Sequence, residues 1–319
     1  MSEIKDFASH INLIRSELEK VIIGQSAVLD DLITALVAGG HVLLEGVPGV
    51  AKTLTVRCLA RALDQSFSRI QFTPDLMPAD VTGVNVFEPA SGSFNFVRGP
   101  VFTDILLADE INRAPAKTQS AMLEAMQEKQ VTIDGTSYPL SETFMVVATQ
   151  NPLEYEGTYP LPEAQLDRFL MKVEIDYPNE DTELLMLATM NGLGDKAAAP
   201  FEVIQTVLGA QAIADMRAQV HRVDCDEAIL QYIVGLIRKS REATTLSTGA
   251  SPRAAVMLLQ AAKARAMLLG KDFTRPEDVQ KVIFPVLRHR IVLTPEAQIE
   301  GLTPDACIES LVKQVPIPR

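Results

Sequence analysis

Gly46-Val-Pro-Gly-Val-Ala-Lys-Thr53 is the stretch that decides the fold of this chain. An apolar run, His41-Val-Leu-Leu-Glu45, precedes it, and Leu54, Leu59 and Leu63 recur behind it on roughly one helical face. A Gly-rich turn between a buried strand and a helix predicts a phosphate-binding loop. Gly46 and Gly49 let backbone N–H groups curl around phosphate oxygens, and the following helix offers its positive N-terminus. Lys52 supplies a point charge for β- and γ-phosphates, and the Thr53 hydroxyl suits Mg2+ ligation. Ala51 stands where the usual pattern has Gly, so a negative φ is expected there. A plain Gly/Pro turn closing a strand is the alternative, and the fitting flanks count against it.

Working outward, the 319 residues suffice for two domains, each expected to have its own core. Apolar residues make up 47% and charged residues 22%, as in soluble globular proteins. The net charge of −12 argues against a surface built for non-specific nucleic-acid binding. Met1-Ser-Glu-Ile-Lys-Asp6 has no apolar signal core and no run has the length of a membrane span, so a cytoplasmic location is expected. Cys58, Cys225 and Cys307 are widely separated and read as reduced, mostly buried thiols.

Upstream of the loop, Phe7 to Val21 step as an amphipathic helix. Gly24-Gln25 breaks it, and Ser26 is expected to cap a second helix. Downstream, Phe67–Phe72, Ile105–Ala108, Thr143–Ala148 and Leu170–Ile175 read as four further strands, giving a five-stranded α/β sheet. Two stretches carry hairpin patterning. Gly83–Phe87 and Ser93–Val97 alternate around Pro89–Gly92, and Gln130–Ile133 and Ser137–Leu140 flank the Asp134-Gly135 turn. From Pro178 onward only helices are expected: one capped by Asn179, a loop or hinge at 192–200, then helices around 206–219, 226–243, 252–269 and 276–288. The expected division is therefore an α/β domain over 1–178 and a smaller all-helical domain over 179–319.

Phosphoryl transfer to water needs a phosphate cradle, a metal, an oriented water and positive charge on the transition state. Asp109 ends an apolar strand and suits Mg2+ through its water shell, and Glu110 suits polarisation of the attacking water. A solvated acidic turn is the plainer alternative. Asn151 follows its strand at the same sheet edge, so its amide can meet the γ-phosphate or the water; a turn-forming Asn before Pro152 is the alternative. Arg168, before the last strand, reads as a surface arginine or as an arginine finger for a neighbouring subunit. Arg253, in Ser251-Pro252-Arg253, opens a helix and can point across the cleft between the domains. His10, His41, His221 and His289 are scattered and read as structural or surface residues.

The motifs together resemble the MoxR group of AAA+ ATPases over nearly the whole chain. They are Val21-Ile-Ile-Gly-Gln25, Glu45–Thr53, Arg69-Ile-Gln-Phe-Thr-Pro-Asp75, Leu107-Ala-Asp-Glu-Ile-Asn-Arg-Ala114, Ala148-Thr-Gln-Asn-Pro152, Glu154–Thr158, Pro162–Phe169 and Ser251-Pro-Arg253. Ala51 is common in that group. The resemblance implies a P-loop AAA+ core with two inserted β-hairpins and a helical lid. It implies nucleotide contacts from Gly24, Gln25, Gly46, Val47, Pro48, Gly49, Val50, Ala51, Lys52, Thr53, Leu54 and Asp109, with Thr53 and Asp109 serving Mg2+. Glu110, Lys52, Asn151 as sensor 1, Arg168 as arginine finger and Arg253 as sensor 2 would then carry ATP hydrolysis. Arg113 would face the subunit interface or merely start a helix. Hexameric rings, chaperone-like maturation of other proteins and partners with von Willebrand factor A domains are further implications. The alternatives are a helicase-type DNA motor, which the acidic balance disfavours, and a non-hydrolysing ATP-dependent scaffold, which has no need of Glu110. A GTP switch is disfavoured because no Asn-Lys-x-Asp motif occurs.

Overall fold

The computed structural model describes residues 2–151, 158–193 and 200–318. The Glu154–Thr158 motif is therefore described only at Thr158, and Pro152 and most of the expected 192–200 loop lie outside the described residues.

Two helices, α1 (Ser2–Leu18) and α2 (Ser26–Val37), lead into β1 (Val42–Gly46), and α3 (Lys52–Ala62) follows the loop. Then come β2 (Phe67–Gln71), α4 (Pro78–Thr82), the hairpin β3 (Gly83–Glu88) and β4 (Ser93–Arg98), β5 (Ile105–Asp109) and α5 (Ala116–Glu128). A second hairpin, β6 (Gln130–Ile133) and β7 (Thr136–Pro139), precedes β8 (Met145–Gln150), α6 (Glu163–Leu166) and β9 (Met171–Ile175). The five expected strands form one parallel sheet in the order β2-β5-β8-β1-β9. Strands covered on both faces must be apolar throughout, and Ile105–Ala108 and Met145–Thr149 are buried without a break.

Alternate side chains point to opposite faces and define two buried clusters. Leu43, Leu106, Ala108, Val146 and Ala148 pack under α5. Val42, Leu44, Leu107, Met145 and Val147 face α1, α2, α3 and the C-terminal helices. The expected pair of cores, one per domain, gives way to this arrangement: the division lies across the sheet, and the second cluster runs continuously into the C-terminal half.

That half contains α7 (Glu180–Leu193), α8 (Ala210–Val220), α9 (Glu227–Glu242), β10 (Leu246–Thr248), α10 (Pro252–Leu268) and α11 (Pro276–Leu287). It ends with β11 (Val292–Leu293), α12 (Pro295–Ile299) and α13 (Pro304–Gln314). The expectation of helices alone fails at the short antiparallel ribbon of β10 and β11. Asn179 caps α7 as expected, its Oδ1 accepting from Thr182 N at 2.9 Å. Ser26 does not cap α2; Gln25 takes that position with its side chain directed elsewhere. Half-buried Arg217 on α8 ties the two halves, donating to the carbonyls of Leu36, Glu142 and Thr143 at 2.8, 2.7 and 3.0 Å.

The two hairpins touch. Phe96 stacks on Tyr138 with ring centres 4.2 Å apart, and Asn85 Nδ2 donates to Asp134 Oδ2 at 2.6 Å. Beyond that contact, Val84, Val86, Phe87, Phe94 and Val97 stand exposed on β3 and β4.

Candidate active site

The loop between β1 and α3 is held from behind. Lys172 on β9 pairs with Glu45 at 2.8 Å. A side chain at Gly46 would put its Cβ 2.4 Å from the Ile175 carbonyl oxygen of β9, so only glycine lets the strands stay paired here. Val50 is buried, and Gln25 Nε2 donates to its carbonyl at 3.0 Å. Thr55 Oγ1 reaches Gln25 Oε1 at 3.4 Å and Ala51 O at 3.1 Å. Gly24 has φ 76° and lies against Thr182 of α7, so this segment joins the loop to the C-terminal half.

Ala51 corrects an expectation. Its φ is 60° and ψ 23°, left-handed rather than negative. The conformation costs an L-residue about 1–2 kcal/mol and persists where its surroundings over-determine it, as Gln25, Val50 and Thr55 do here.

A cavity of about 440 Å³ opens at the carboxyl ends of β1, β5 and β8, where an open parallel sheet places its ligand. Its walls are Pro48, Gly49, Ala51, Lys52, Thr53, Leu54, Asp109, Glu110, Thr149 and Asn151. Gly46, Val47, Val50, Gly24 and Gln25 do not line it; Val47 packs on the core, and the others brace the loop as described. Thr149, inside the Ala148–Pro152 motif, lines the cavity as well, beyond the residues that the sequence singles out.

The acidic pair is organised by its neighbours on the sheet. Thr149 Oγ1 donates to Asp109 Oδ1 at 2.5 Å and accepts from Glu110 N at 2.9 Å. Arg69 on β2 donates to Asp109 Oδ2 through Nη2 at 2.6 Å and Nε at 3.1 Å. Gln71 Nε2 donates to Glu110 Oε2 at 2.8 Å, and Arg113 Nη1 lies 3.2 Å from the same oxygen. Glu110 itself is left-handed, with φ 54°. Arg113 thus sits beside the acidic pair of its own chain.

The residues fit a nucleotide with Mg2+. Gly49, at φ 88°, has nothing within 4 Å of where a Cβ would stand, which leaves room for close approach to its backbone. Among the described residues no side chain caps α3, and a helix N-terminus favours an anion. Lys52 Nζ rests on the Gly46 carbonyl at 2.6 Å, within the loop itself. Thr53 and Asp109 bring oxygen donors of the kind Mg2+ takes to the same cavity.

The two expected arginines lie outside this cavity. Arg168 Nη1 donates to the Leu123 carbonyl at 2.7 Å and borders a separate depression of about 210 Å³ with Ser120, Glu124, Gln127, Glu128 and Gln165. Arg253 is exposed in the first turn of α10.

Comparison with known proteins agrees with this geometry. Residues 41–171 match the family described as "ATPase family associated with various cellular activities (AAA)", and residues 238–311 match its AAA lid domain. Chaperone MoxR1 of Mycobacterium tuberculosis is 42% identical over 312 residues, covering 95% of this chain and 81% of that protein. The chain belongs to the MoxR family of AAA+ ATPases. Another relative, Uncharacterized protein YeaC of Bacillus subtilis, is 43% identical and covers 94% of this chain and 92% of its own length. A crystal structure described as a "putative ATPase" from Cytophaga hutchinsonii superposes with a TM-score of 0.90 at 41% identity, covering 100% of this chain and 98% of that one. The two family matches run from β1 to the start of β9 and from α9 to α13. No described helix is long and apolar enough to cross a membrane.

Proposed function

We propose that this MoxR-family chain hydrolyses ATP, with Mg2+, at a site completed by a neighbouring subunit of a hexameric ring. In this reading residues 1–178 are the ATPase core and 179–319 the lid, and the output is maturation or remodelling of a partner protein in the cytoplasm. The observation that carries it is the convergence of Lys52, Thr53, Asp109, Glu110, Thr149 and Asn151 on one cavity.

Each residue then has one task. The backbone of Gly46–Thr53 cradles phosphates, and Lys52 leaves the Gly46 carbonyl to neutralise them. Thr53 and Asp109 would hold Mg2+, which would supply positive charge to offset the negative charge building on the phosphate oxygens. Glu110, aimed by Gln71 and Arg113, polarises the attacking water, and Asn151 orients it. Arg168 lies apart from the cavity of its own chain, which supports an action on the next subunit. Arg253 reports the nucleotide to the lid. The exposed apolar hairpin of β3 and β4 offers a surface for the client, and the printed name of MoxR1, a chaperone, favours a protein client over DNA. A partner with a von Willebrand factor A domain fits the family resemblance.

The test is Mg2+-dependent phosphate release by the full chain. Glu110→Gln should retain ATP binding and lose turnover by a factor of about 10²–10⁴. Turnover unchanged in that variant removes Glu110 from the mechanism.

A further inference from the structure

Arg290, just past the end of α11, is among the described residues the most buried cation that the proposed chemistry does not use. Its side chain is 1% exposed. Nε donates to Asp167 Oδ1 at 2.7 Å, and Nη2 donates to the Asp167 carbonyl at 3.2 Å and to the Phe169 carbonyl. Nη1 donates to the Leu170 carbonyl at 3.1 Å and to the Val286 carbonyl of α11. Nη2 also meets Met257 Sδ of α10 at 2.6 Å. The preceding residue adds to the grip, with His289 Nε2 3.1 Å from the Phe169 carbonyl.

These contacts fall on both sides of one residue. Asp167 and Phe169 are fixed by the lid, and Arg168 stands between them, its own Nη1 on the Leu123 carbonyl. The side that holds them is equally specific: Met257 lies one turn beyond Arg253 on the same helix. A buried guanidinium is a poor choice for stability alone, because its desolvation offsets much of what its bonds contribute, and apolar packing of similar volume often does as well. What it provides is direction. Its planar fork holds several acceptors in one fixed geometry, which the three rotatable donors of a lysine do not impose.

We propose that Arg290 is a positioning residue that sets the backbone on either side of Arg168, so that the reach of Arg168 toward a neighbouring subunit follows the lid helices α10 and α11. The inference rests on the reading of Arg168 as acting on that neighbour. It makes the lid of one subunit a control on the turnover of the next.

The experiment is a double-mutant cycle on the assembled full-length protein, comparing Arg168→Ala, Arg290→Lys and the pair. It reads kcat and KM for ATP and, separately, nucleotide affinity. Arg290→Lys should lower kcat about ten-fold or more, with nucleotide affinity within about two-fold of the parent. The double variant should be no slower than Arg168→Ala alone, because both changes remove the same contribution. Multiplying effects, an unchanged kcat in Arg290→Lys, or a parallel fall in nucleotide affinity would overturn the inference and leave Arg290 a structural residue. A normal kcat in Arg168→Ala would overturn both the inference and the reading beneath it, whereas a lowered kcat there with normal Arg290→Lys overturns the inference alone. Should Arg290→Lys fail to fold, Arg290→Met, which puts an apolar side chain against Met257, carries the same cycle.

Discussion

Arg69 gives two N–H groups to a single oxygen of Asp109, while Thr149 donates to the other. Both oxygens of the carboxylate expected to serve Mg2+ are therefore engaged by the chain itself. The Arg69 side chain is 47% exposed, so the pair contributes no more than about 1 kcal/mol. A divalent ion carries twice the charge and can take its place. Replacing Arg69 with Gln should lower the Mg2+ concentration needed for half-maximal binding of a fluorescent ATP analogue by about five-fold, the equivalent of that 1 kcal/mol. An unchanged or increased Mg2+ requirement would mean that Arg69 supports Asp109 and does not compete for it.

What the sequence revealed of this site is what lies close together along the chain. Gly46–Thr53 and Asp109-Glu110 were legible because strand, turn and helix signals adjoin them. Arg69 and Gln71 were not, although they lie within the Arg69–Asp75 motif: they reach the acidic pair only because β2 lies beside β5 with Gln71 opposite Asp109. That neighbour relation is a property of strand order, which no local pattern encodes. Arg290 was hidden for the same reason, since its partners lie some 120 residues away at Asp167–Leu170. The helix α13, absent from the expected set, has a local start signal. Thr303-Pro304 is a helix-start signature, and Thr303 Oγ1 does accept from Ala306 N at 3.2 Å. The fold is more legible because β1, β5 and β8 carry unbroken apolar runs, whereas the ribbon of β10 and β11, two or three residues per strand, carries almost no periodic signal.

Ala51 stores strain that glycine would release. A left-handed alanine costs about 1–2 kcal/mol, while glycine adds about 0.4–1 kcal/mol of unfolded-state entropy. The difference predicts that Ala51→Gly stabilises the chain by about 0.8 kcal/mol, measured by denaturant unfolding without nucleotide. A destabilised variant would show that the alanine methyl group makes a favourable contact outweighing its backbone conformation.

His41 ties β1 to its surroundings from inside the core. Val146 N donates to its Nδ1 at 2.9 Å, which leaves the proton on Nε2, 3.1 Å from the Met126 carbonyl. Burial pushes its pKa down to about 4 from the usual 6.5. The folded state then binds fewer protons than the unfolded one, so this contribution is fully present above about pH 6.5 and is lost as pH falls toward 4. The full loss amounts to about 3 kcal/mol. His41→Gln, which cannot titrate, should flatten the fall in thermal stability across that window; an identical slope would place the acid sensitivity elsewhere.

Asp31 on α2 titrates in the same window with the opposite sign. Its pKa is raised from 3.8 to about 6, chiefly by burial, with Arg288, Lys281 and Arg265 pulling it back and Asp30 pushing it further up. Here the folded state holds the proton more tightly than the unfolded chain. Stability is therefore greatest below about pH 3.8, falls as pH rises to 6, and carries a constant penalty above that. The side chain is partly exposed, which screens the penalty to about 1 kcal/mol. Asp31→Asn should remove it, making the chain more stable by about 1 kcal/mol near pH 7 and giving no gain near pH 3. Denaturant unfolding at the two pH values tests this, and a loss of stability at pH 7 would show that the attraction to Arg288, Lys281 and Arg265 outweighs burial. Because the slopes of Asp31 and His41 oppose one another, the parent protein shows only their difference, and only the two single variants expose each.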